Sequence, residues 1–196
     1  FLFLKKMINQ TPLFVDLDGT LIKEDLSNLA FWKMLKNNPI KVFLKLFLFL
    51  FFGKAYLKGK ISKEFMVPIN NLNFNSECIK FIKETKNQHR DVYLISGSHQ
   101  CLVEQINNHL NLFNEVFGTR DNYNMVGINK VKFINEKLKY DEFDYVGNSK
   151  KDMPIWEYTK KIIYTNADKY LVKKINDSKL SKLRIKEKFI KKTKLC

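Results

Sequence analysis

Cysteine is scarce in this chain, and its spacing argues against several classes of protein. Only three cysteines occur among 196 residues, Cys78, Cys101 and Cys196, and none of them are paired at the short spacing of a zinc or redox motif. This pattern does not suit a disulfide-stabilised secreted fold and favours a reducing compartment, the cytoplasm. No catalytic-cysteine context surrounds any of the three, and the terminal Cys196 fits no prenylation motif.

Acidic residues are also few relative to basic ones. The chain has 20 Asp and Glu against 35 Lys and Arg, which gives a formal net charge of +15. An excess of this size suits a nucleic-acid-binding protein. It is equally expected from an AT-rich genome, which enriches lysine on any protein surface. No nucleic-acid-binding motif accompanies the charge, so nucleic acid is not expected as a partner.

Much of the positive charge lies at the C-terminal end of the chain. Residues 169–196 contain eleven Lys or Arg and only two acidic residues, a local charge of +9. Aromatic residues are limited there to Tyr170 and Phe189, fewer than a nucleic-acid-stacking surface requires. The pattern predicts a basic, partly amphipathic tail or linker that binds an anionic membrane surface.

The chain lacks an apolar run long enough to cross a bilayer, which requires about 20 residues. The longest continuous run, residues 46–52, falls in a helix predicted over 40–52. Three interpretations remain open for it: a helix buried on all sides, an exposed patch for a partner, or a segment dipping into a membrane surface. Residues 1–4 are too short for a signal peptide, and Met7 indicates that the preceding residues lie upstream of a true start or that the chain is a fragment.

Two carboxylates follow the first predicted strand. The apolar residues 13–15 lead into the sequence DLDGT at residues 16–20, where Gly19 predicts a turn. A loop at the carboxyl end of a strand is where open α/β sheets bind ligands. Paired carboxylates there can hold a hard cation, and one can attack phosphorus while the other transfers a proton. Taken alone, the same four residues Asp-x-Asp-Gly could be an ordinary acidic turn.

Three further segments have compatible chemistry. Residues 91–98 predict a second strand that leads into a helix, where the Ser96 hydroxyl and free backbone N–H groups form an anion site and Ser98 caps the helix. Lys130 opens a helix predicted over 131–138. Residues 147–152 (GNSKKD) follow a third short strand with oxygen-bearing side chains.

These four segments, in this order, resemble the four motifs of the haloacid dehalogenase (HAD) superfamily, and the resemblance covers roughly residues 12–168. It implies that Asp16 is the nucleophile that forms an aspartyl-phosphate. It also implies that Asp18 protonates the leaving group and then activates water. Ser96 and the Gly97 N–H would hold the phosphoryl oxygens, and Lys130 would neutralise charge beside Asp16.

The resemblance also implies a Mg²⁺ cofactor, bound by the Asp16 carboxylate, the Asp18 carbonyl and the loop with Asn148 and Asp152. One position departs from the usual pattern. Most members have an acidic residue where this chain has Asn148, which leaves Asp152 as the only carboxylate of that loop. An amide oxygen can bind Mg²⁺, but a site with one fewer negative charge is expected to bind it more weakly.

Within the superfamily, residues 12–22, 109–116 and 143–149 look like the HAD domain fused ahead of UbiA-type polyprenyl transferases. In that group Gly-Asn-Ser is the usual form of the fourth motif, which makes Asn148 a family trait. The resemblance therefore adds a UbiA-type prenyltransferase as an expected partner and a lipid-linked (polyprenyl) sugar phosphate as an expected substrate.

The sequence thus predicts an α/β fold: a Rossmann-like HAD core with a parallel sheet of about five strands. The core is expected over 8–21 and 87–168, a helical cap over 22–86 and the basic tail over 169–196. The expected activity is Mg²⁺-dependent hydrolysis of a phosphate monoester in the cytoplasm or on the inner face of the membrane. The alternative is a non-catalytic regulatory or scaffolding domain of a membrane prenyltransferase, which Asn148 favours.

Overall fold

The computed structural model of the protein describes residues 10–120 and 122–191, except the side chains of residues 48–51, 54 and 191. Predictions for residues 1–9 and for Cys196 lie outside these residues. The strands described are β1 (Leu13–Val15), β2 (Asn73–Asn75), β3 (Val92–His99), β4 (Glu115–Thr119), β5 (Asp144–Gly147), β6 (Lys161–Tyr164), β7 (Ser181–Arg184) and β8 (Phe189–Lys191). The α-helices are α1 (Leu26–Asn37), α2 (Pro39–Ser62), α3 (Ser76–Asn87), α4 (Gln100–Leu110), α5 (Ile128–Lys132), α6 (Met153–Trp156) and α7 (Lys169–Asp177).

Six strands form one sheet in the order β4-β3-β1-β5-β6-β7, and every neighbouring pair is parallel. The chain first winds from β1 to β3 and β4 on one side, and then crosses to β5, β6 and β7 on the other. The direction therefore reverses at β1, which is the switch point of a doubly wound sheet. The predicted α/β class with a Rossmann-like parallel sheet is confirmed, with one strand more than the five expected.

The central strand β1 shows how the sequence specifies the layers. Successive side chains of a strand face opposite sides of the sheet. Leu13 and Val15 pack in one apolar layer with residues of α3 and α4, whereas Phe14 stacks on Tyr93 in the other layer with residues of α6 and α7. All three residues of β1 are fully buried, as expected for a parallel sheet covered on both faces.

The basic segment 169–191 is not a tail, and this prediction is wrong for the residues that the structure describes. Helix α7 buries Leu171 and Ile175 against the sheet, and β7 pairs in parallel with β6. Strand β8 then returns to pair antiparallel with β2. The apolar residues of this segment have the spacing of a helix and a strand, and the residues between them are mostly lysine and other polar residues. The segment is therefore part of the folded domain, and its charged side chains lie on the surface.

Helices α1 and α2 form the cap that was predicted between the first two motifs. Asp25 accepts a hydrogen bond from the Asn28 N–H at the start of α1, and Asn38 caps α2 with Pro39 in its first turn. Gly53 has φ 79° and ψ −178°, so α2 is two helical pieces joined at a break. The second piece, residues 54–62, was not predicted.

The predicted end of the cap at residue 86 is also wrong. Helix α3 packs on the sheet, where Cys78, Ile79 and Ile82 belong to the same apolar cluster as Leu13. Its amphipathic spacing buries one face against the core. The inserted cap therefore ends before β2.

The apolar run 46–52 lies in the first piece of α2. Its described side chains, Leu46, Phe47 and Phe52, are all exposed to solvent, and those of residues 48–51 lie outside the description. Exposure of these three residues contradicts burial on all sides. Across the residues described, no helix has the length and apolar character needed to cross a membrane.

Candidate active site

Three loops meet at the carboxyl edge of the sheet, since β1 lies between β3 and β5. Asp16 follows β1 directly, and its backbone N–H donates to the Val146 carbonyl of β5 at 2.9 Å. A cavity of about 290 Å³ opens at this point. The charged residues among those that line it are Asp16, Asp18, Asp25, Asp152, Lys23, Lys58, Lys130 and Lys151. The first, third and fourth predicted motifs thus converge on one cavity, together with Gly97 and Ser98 of the second.

Asp16 is a buried carboxylate with a buried cationic partner. Its Oδ1 accepts a hydrogen bond from the Lys130 Nζ at 2.7 Å, and the Thr20 hydroxyl lies 3.5 Å from its Oδ2. Burial raises the pKa of Asp16 to about 7, with the Lys130 charge acting in the opposite direction. Lys130 therefore favours the ionised carboxylate, the form that can act as a nucleophile.

Lys130 belongs to a chain of buried polar groups. Its Nζ also lies 2.7 Å from the Tyr145 hydroxyl, which donates to Asp152 Oδ1 at 2.8 Å. Helix α5 begins at Ile128, after Gly127 at φ 55°, so Lys130 lies inside a helix that starts earlier than predicted. This series of hydrogen bonds fixes the Lys130 ammonium group beside Asp16, because Tyr145 holds Lys130 and Asp152 holds Tyr145.

Asp18 is bound by groups from two other elements. Its Oδ2 accepts from the Ser96 hydroxyl at 2.9 Å and the Ser98 hydroxyl at 2.8 Å, and its Oδ1 accepts from the Leu26 N–H at 2.8 Å. Burial raises the pKa of Asp18 above its ordinary value, whereas these three hydrogen bonds oppose the rise. A raised pKa favours a carboxyl that can carry a proton.

The second motif differs from its prediction in two respects. Strand β3 continues to His99, and α4 begins at Gln100 with His99 as its cap, so Ser98 does not cap the helix. Ser96 and Ser98 are two residues apart on the strand and face the same side, toward Asp18. Ser96 is fully buried with its hydroxyl on Asp18, whereas Ser98 lines the cavity. Sequence reasoning missed this role of Ser98, although the Ser-x-Ser spacing could have indicated it.

Gly97 connects the core to the cap. Its carbonyl oxygen accepts hydrogen bonds from the Lys58 Nζ at 2.7 Å and from the Thr119 hydroxyl at 2.8 Å. Lys58 lies in the second piece of α2, beyond the break at Gly53, and also lines the cavity. No sequence pattern indicates Lys58, which is one of many lysines and whose helix was not predicted.

The fourth-motif loop is organised by Asp152. Its Oδ2 accepts hydrogen bonds from the backbone N–H groups of Asn148 and Ser149 at 3.0 and 2.9 Å, and from the Ser149 hydroxyl at 3.0 Å. A side chain on Gly147 would come within 2.7 Å of the same carboxylate. Both oxygens of Asp152 are therefore engaged within the protein, and its carboxylate shapes the loop that carries Asn148.

The oxygen atoms near Asp16 are chemically suited to Mg²⁺, which prefers carboxylate and carbonyl oxygens. The Thr20 hydroxyl donates to Asn148 Oδ1 at 3.2 Å and also approaches Asp16 Oδ2, so it links the two groups. Within the described residues, no three Asp, Glu, His or Cys side chains cluster closely enough to hold a metal by themselves. A cation here would need the Asn148 amide and backbone oxygens in addition to carboxylates.

Comparison with known families identifies the class. The model of the haloacid dehalogenase-like hydrolases matches residues 13–157. The chain belongs to this hydrolase family, which supports its assignment as an enzyme. One relative, the uncharacterised protein y4nM of Sinorhizobium fredii, is 29% identical over 146 residues, or 74% of this chain and 28% of that protein. The chain thus spans little more than a quarter of that relative's length.

Solved structures share the fold at low sequence identity. A protein of unknown function from Bordetella pertussis Tohama I has a TM-score of 0.65 and 12% identity over 89% of this chain and 99% of its own. A HAD family hydrolase from Salmonella enterica serovar Typhi has a TM-score of 0.60 and 13% identity, with 88% and 66% of the two chains covered. A substrate-bound phosphoserine phosphatase has a TM-score of 0.56 and 17% identity, with 90% and 93% covered.

Proposed function

We propose that the protein is a Mg²⁺-dependent phosphatase that hydrolyses a phosphate monoester through an aspartyl-phosphate on Asp16. The single observation that carries the proposal is the buried Asp16–Lys130 pair, 2.7 Å apart, at the switch point of the sheet. Similarity to phosphoserine phosphatase structures supports the same reaction class. Hydrolysis of p-nitrophenyl phosphate, measured with Mg²⁺ and with a chelator, tests it directly.

In the proposed reaction an oxygen of Asp16 attacks phosphorus and the bond to the leaving oxygen breaks. The Asp18 carboxyl protonates that oxygen and then takes a proton from the water that cleaves the aspartyl-phosphate. The hydroxyls of Ser96 and Ser98 now donate to Asp18. Ser98 lines the cavity, so a phosphoryl oxygen there can accept its hydrogen bond in place of Asp18, which would free that side of the Asp18 carboxyl for the leaving group. Ser96 is fully buried and stays on Asp18. Lys130 favours the ionised form of Asp16 and neutralises charge on the transferring group.

The proposed cation ligands are Asp16, the Asp18 carbonyl and Asn148, with Asp152 either as a further ligand or as the group that holds the Asn148 loop in place. Bound there, Mg²⁺ would supply charge neutralisation for the phosphoryl group. Because Asn148 offers a neutral oxygen, few negative charges contribute to the Mg²⁺ affinity of this site.

Changing Asn148 to Asp should tighten Mg²⁺ binding by about 10-fold, because it adds a charged oxygen of nearly the same shape. Asp152→Asn should weaken binding, by removing a ligand or by releasing the loop. Calorimetric titration with Mg²⁺ and the Mg²⁺ concentration for half-maximal activity measure both effects. Asn176→Asp, which adds the same charge on an exposed part of α7, serves as the control. Equal Mg²⁺ affinity in all four proteins would rule out this loop as the cation site.

Lys58 offers a test of the cap. Its ammonium group is hydrogen-bonded to the Gly97 carbonyl at the cavity, so it holds α2 against the second motif. Lys58→Met should raise KM for p-nitrophenyl phosphate by about 10-fold, the expected effect of losing a hydrogen bond to a charged group, while kcat changes little. Lys60→Met, an exposed change on the same helix, is the matched control. An unchanged KM for Lys58→Met would show that this cap contact does not contribute to substrate binding.

The finer parts of the proposal concern the substrate and partner. We propose a lipid-linked phosphate, such as a polyprenyl sugar phosphate, with a UbiA-type prenyltransferase as partner on the inner face of the membrane. Support comes from the resemblance of the first and fourth motifs. A phosphatase screen that compares soluble sugar phosphates with polyprenyl phosphates tests the substrate class. The rival non-catalytic domain, favoured by Asn148, predicts no turnover of any of these compounds with Mg²⁺ present.

A further inference from the structure

The outer face of the cap is apolar, although the solvent-facing side of a helix is normally polar or charged. Seven of the eleven large exposed apolar side chains in the described residues fall between Trp32 and Phe52. Four of them recur at helical spacing in the first piece of α2: Ile40, Phe43, Leu44 and Phe47, with exposures of 73, 79, 64 and 61%. Residues spaced three and four apart lie on one face of a helix. We call these four residues the cap stripe.

The opposite side of the same helix packs onto the protein. Val42 is 4% exposed, and Lys45 reaches the Glu64 carboxylate at 2.7 Å and the Lys60 carbonyl oxygen at 2.9 Å. The orientation of the helix is therefore fixed by contacts on its inner side. The cap stripe is a fixed outer surface and not a face that the helix could turn inward.

The charge carried by the two cap helices has one sign, and Glu64, an acidic residue that follows them, is paired with Lys45 on the inner side. Residues 26–62 contain seven lysines and no Asp or Glu. Lys33, Lys36 and Lys41 are exposed on the same two helices that carry Trp32 and the cap stripe. An apolar helix face combined with exposed lysines and aromatic residues is the pattern of a helix that lies in a bilayer interface. Each lysine near an anionic bilayer adds to the attraction.

The same charges oppose pairing of two copies through this surface. A two-fold interface places the same patch of both subunits face to face. Here that would bring together the exposed Lys33, Lys36 and Lys41 of both subunits. A bilayer with anionic headgroups suits a surface that is both apolar and positively charged, since its interface accepts the apolar side chains and its headgroups neutralise the lysines.

We propose that the cap stripe and its neighbouring lysines bind the protein peripherally to an anionic lipid bilayer. The cap, and not the lysine-rich segment 169–191, is the surface that contacts the membrane. Aromatic and aliphatic side chains of the cap stripe enter the interface, and Lys33, Lys36 and Lys41 contact the headgroups. The proposal concerns binding alone and does not depend on catalysis.

The test is sedimentation of the full chain with vesicles of phosphatidylcholine alone and of phosphatidylcholine mixed with phosphatidylglycerol. We expect binding to the anionic vesicles, weaker binding to the neutral ones, and a decrease as salt is added. Ile40→Ser with Phe43→Ser, and separately Lys36→Glu with Lys41→Glu, should each lower the partition coefficient by about 10-fold or more. All four residues are exposed, and circular dichroism melting confirms that the variants remain folded.

Matched controls lie outside the cap. Tyr158→Ser removes an exposed aromatic ring, and Lys179→Glu with Lys182→Glu reverses two exposed charges of the C-terminal segment. Both should bind vesicles as the unmodified protein does. Absence of binding to anionic vesicles would overturn the proposal, and so would a loss of binding confined to the Lys179/Lys182 variant. Light scattering that shows a dimer abolished by the cap changes, with vesicle binding unaffected, would assign the cap stripe to self-association instead.

Discussion

Asp16→Asn is expected to reduce kcat for p-nitrophenyl phosphate to below about 10⁻³ of the unmodified value, because an amide cannot attack phosphorus and no other carboxylate can replace it. Asp18, which also lines the cavity, is held by the Ser96 and Ser98 hydroxyls and the Leu26 N–H. Steady-state kinetics measure the loss. Rapid-quench detection of a phosphorylated protein, absent in the variant, measures the missing intermediate.

The structure supplies the control for this prediction. Asn at position 16 has nearly the same shape as Asp and can still accept a hydrogen bond from Lys130, so the melting temperature should change little. Asp141→Asn removes an exposed carboxylate that is absent from the cavity lining and should retain full activity. Unchanged kcat in Asp16→Asn would contradict the aspartyl-phosphate mechanism. A large loss in both variants would point to a general effect of charge.

The positions of the motifs could be predicted because each depends on local sequence. Strand β1 is a short apolar run that ends at Val15 and is followed by Asp16 and the turn at Gly19, and β5 is a short strand that ends at Gly147. The carboxyl ends of adjacent parallel strands share one edge, so Asp16 and the fourth-motif loop had to lie near each other. The Asp16–Lys130 contact was implied only by the resemblance to the HAD motifs, since no local pattern places α5 beside this edge.

The contacts that were missed depend on tertiary structure. Lys58 reaches Gly97 only because α2 breaks at Gly53, a single glycine in a sequence that otherwise suits a helix. The two hydrogen bonds from serine to Asp18 required β3 to continue to His99, whereas hydroxyl and glycine residues favoured an earlier end. A single glycine does not by itself specify a helix break, and the Ser-x-Ser spacing is the one local sign of the serine contacts.

Asp152 shows why residue type alone does not determine a role. Its carboxylate is nearly inaccessible and accepts hydrogen bonds from the Tyr145 hydroxyl and from the backbone of its own loop. Through Tyr145 it is also linked to Lys130 and so to Asp16. Asp152 therefore connects the third and fourth motifs. Its prediction as a metal ligand from the sequence does not include this connection.

The charge of the C-terminal segment indicates a tail, whereas the spacing of its apolar residues is that of a helix and a strand. Leu171 and Ile175 are four residues apart, one helical turn, and both are buried in a helix whose remaining residues are largely lysine and polar. Strand β7 carries one partly buried leucine among charged neighbours, as an edge strand does. Charged edge strands resemble solvated tails in composition, and only pairing with β6 distinguishes them.

Truncation after Asp168 is therefore expected to unfold the protein and not to leave a folded core without its tail. The deletion removes α7, exposes the edge of β6, and takes away β8, the partner of β2. Point changes give a graded version of the same test. Leu171→Ala and Ile175→Ala should each lower the free energy of unfolding by about 2–5 kcal/mol, a large part of the roughly 5–15 kcal/mol that stabilises a typical domain.

Urea unfolding followed by circular dichroism measures these losses, and Lys173→Ala, an exposed change on the same helix, should cost less than about 0.5 kcal/mol. A truncated chain that melts at the temperature of the full chain would show that α7, β7 and β8 are dispensable. The family model ends at residue 157, before all three elements. The expected unfolding would then mean that the site of Asp16 and Lys130 is built on a sheet that this lysine-rich segment completes.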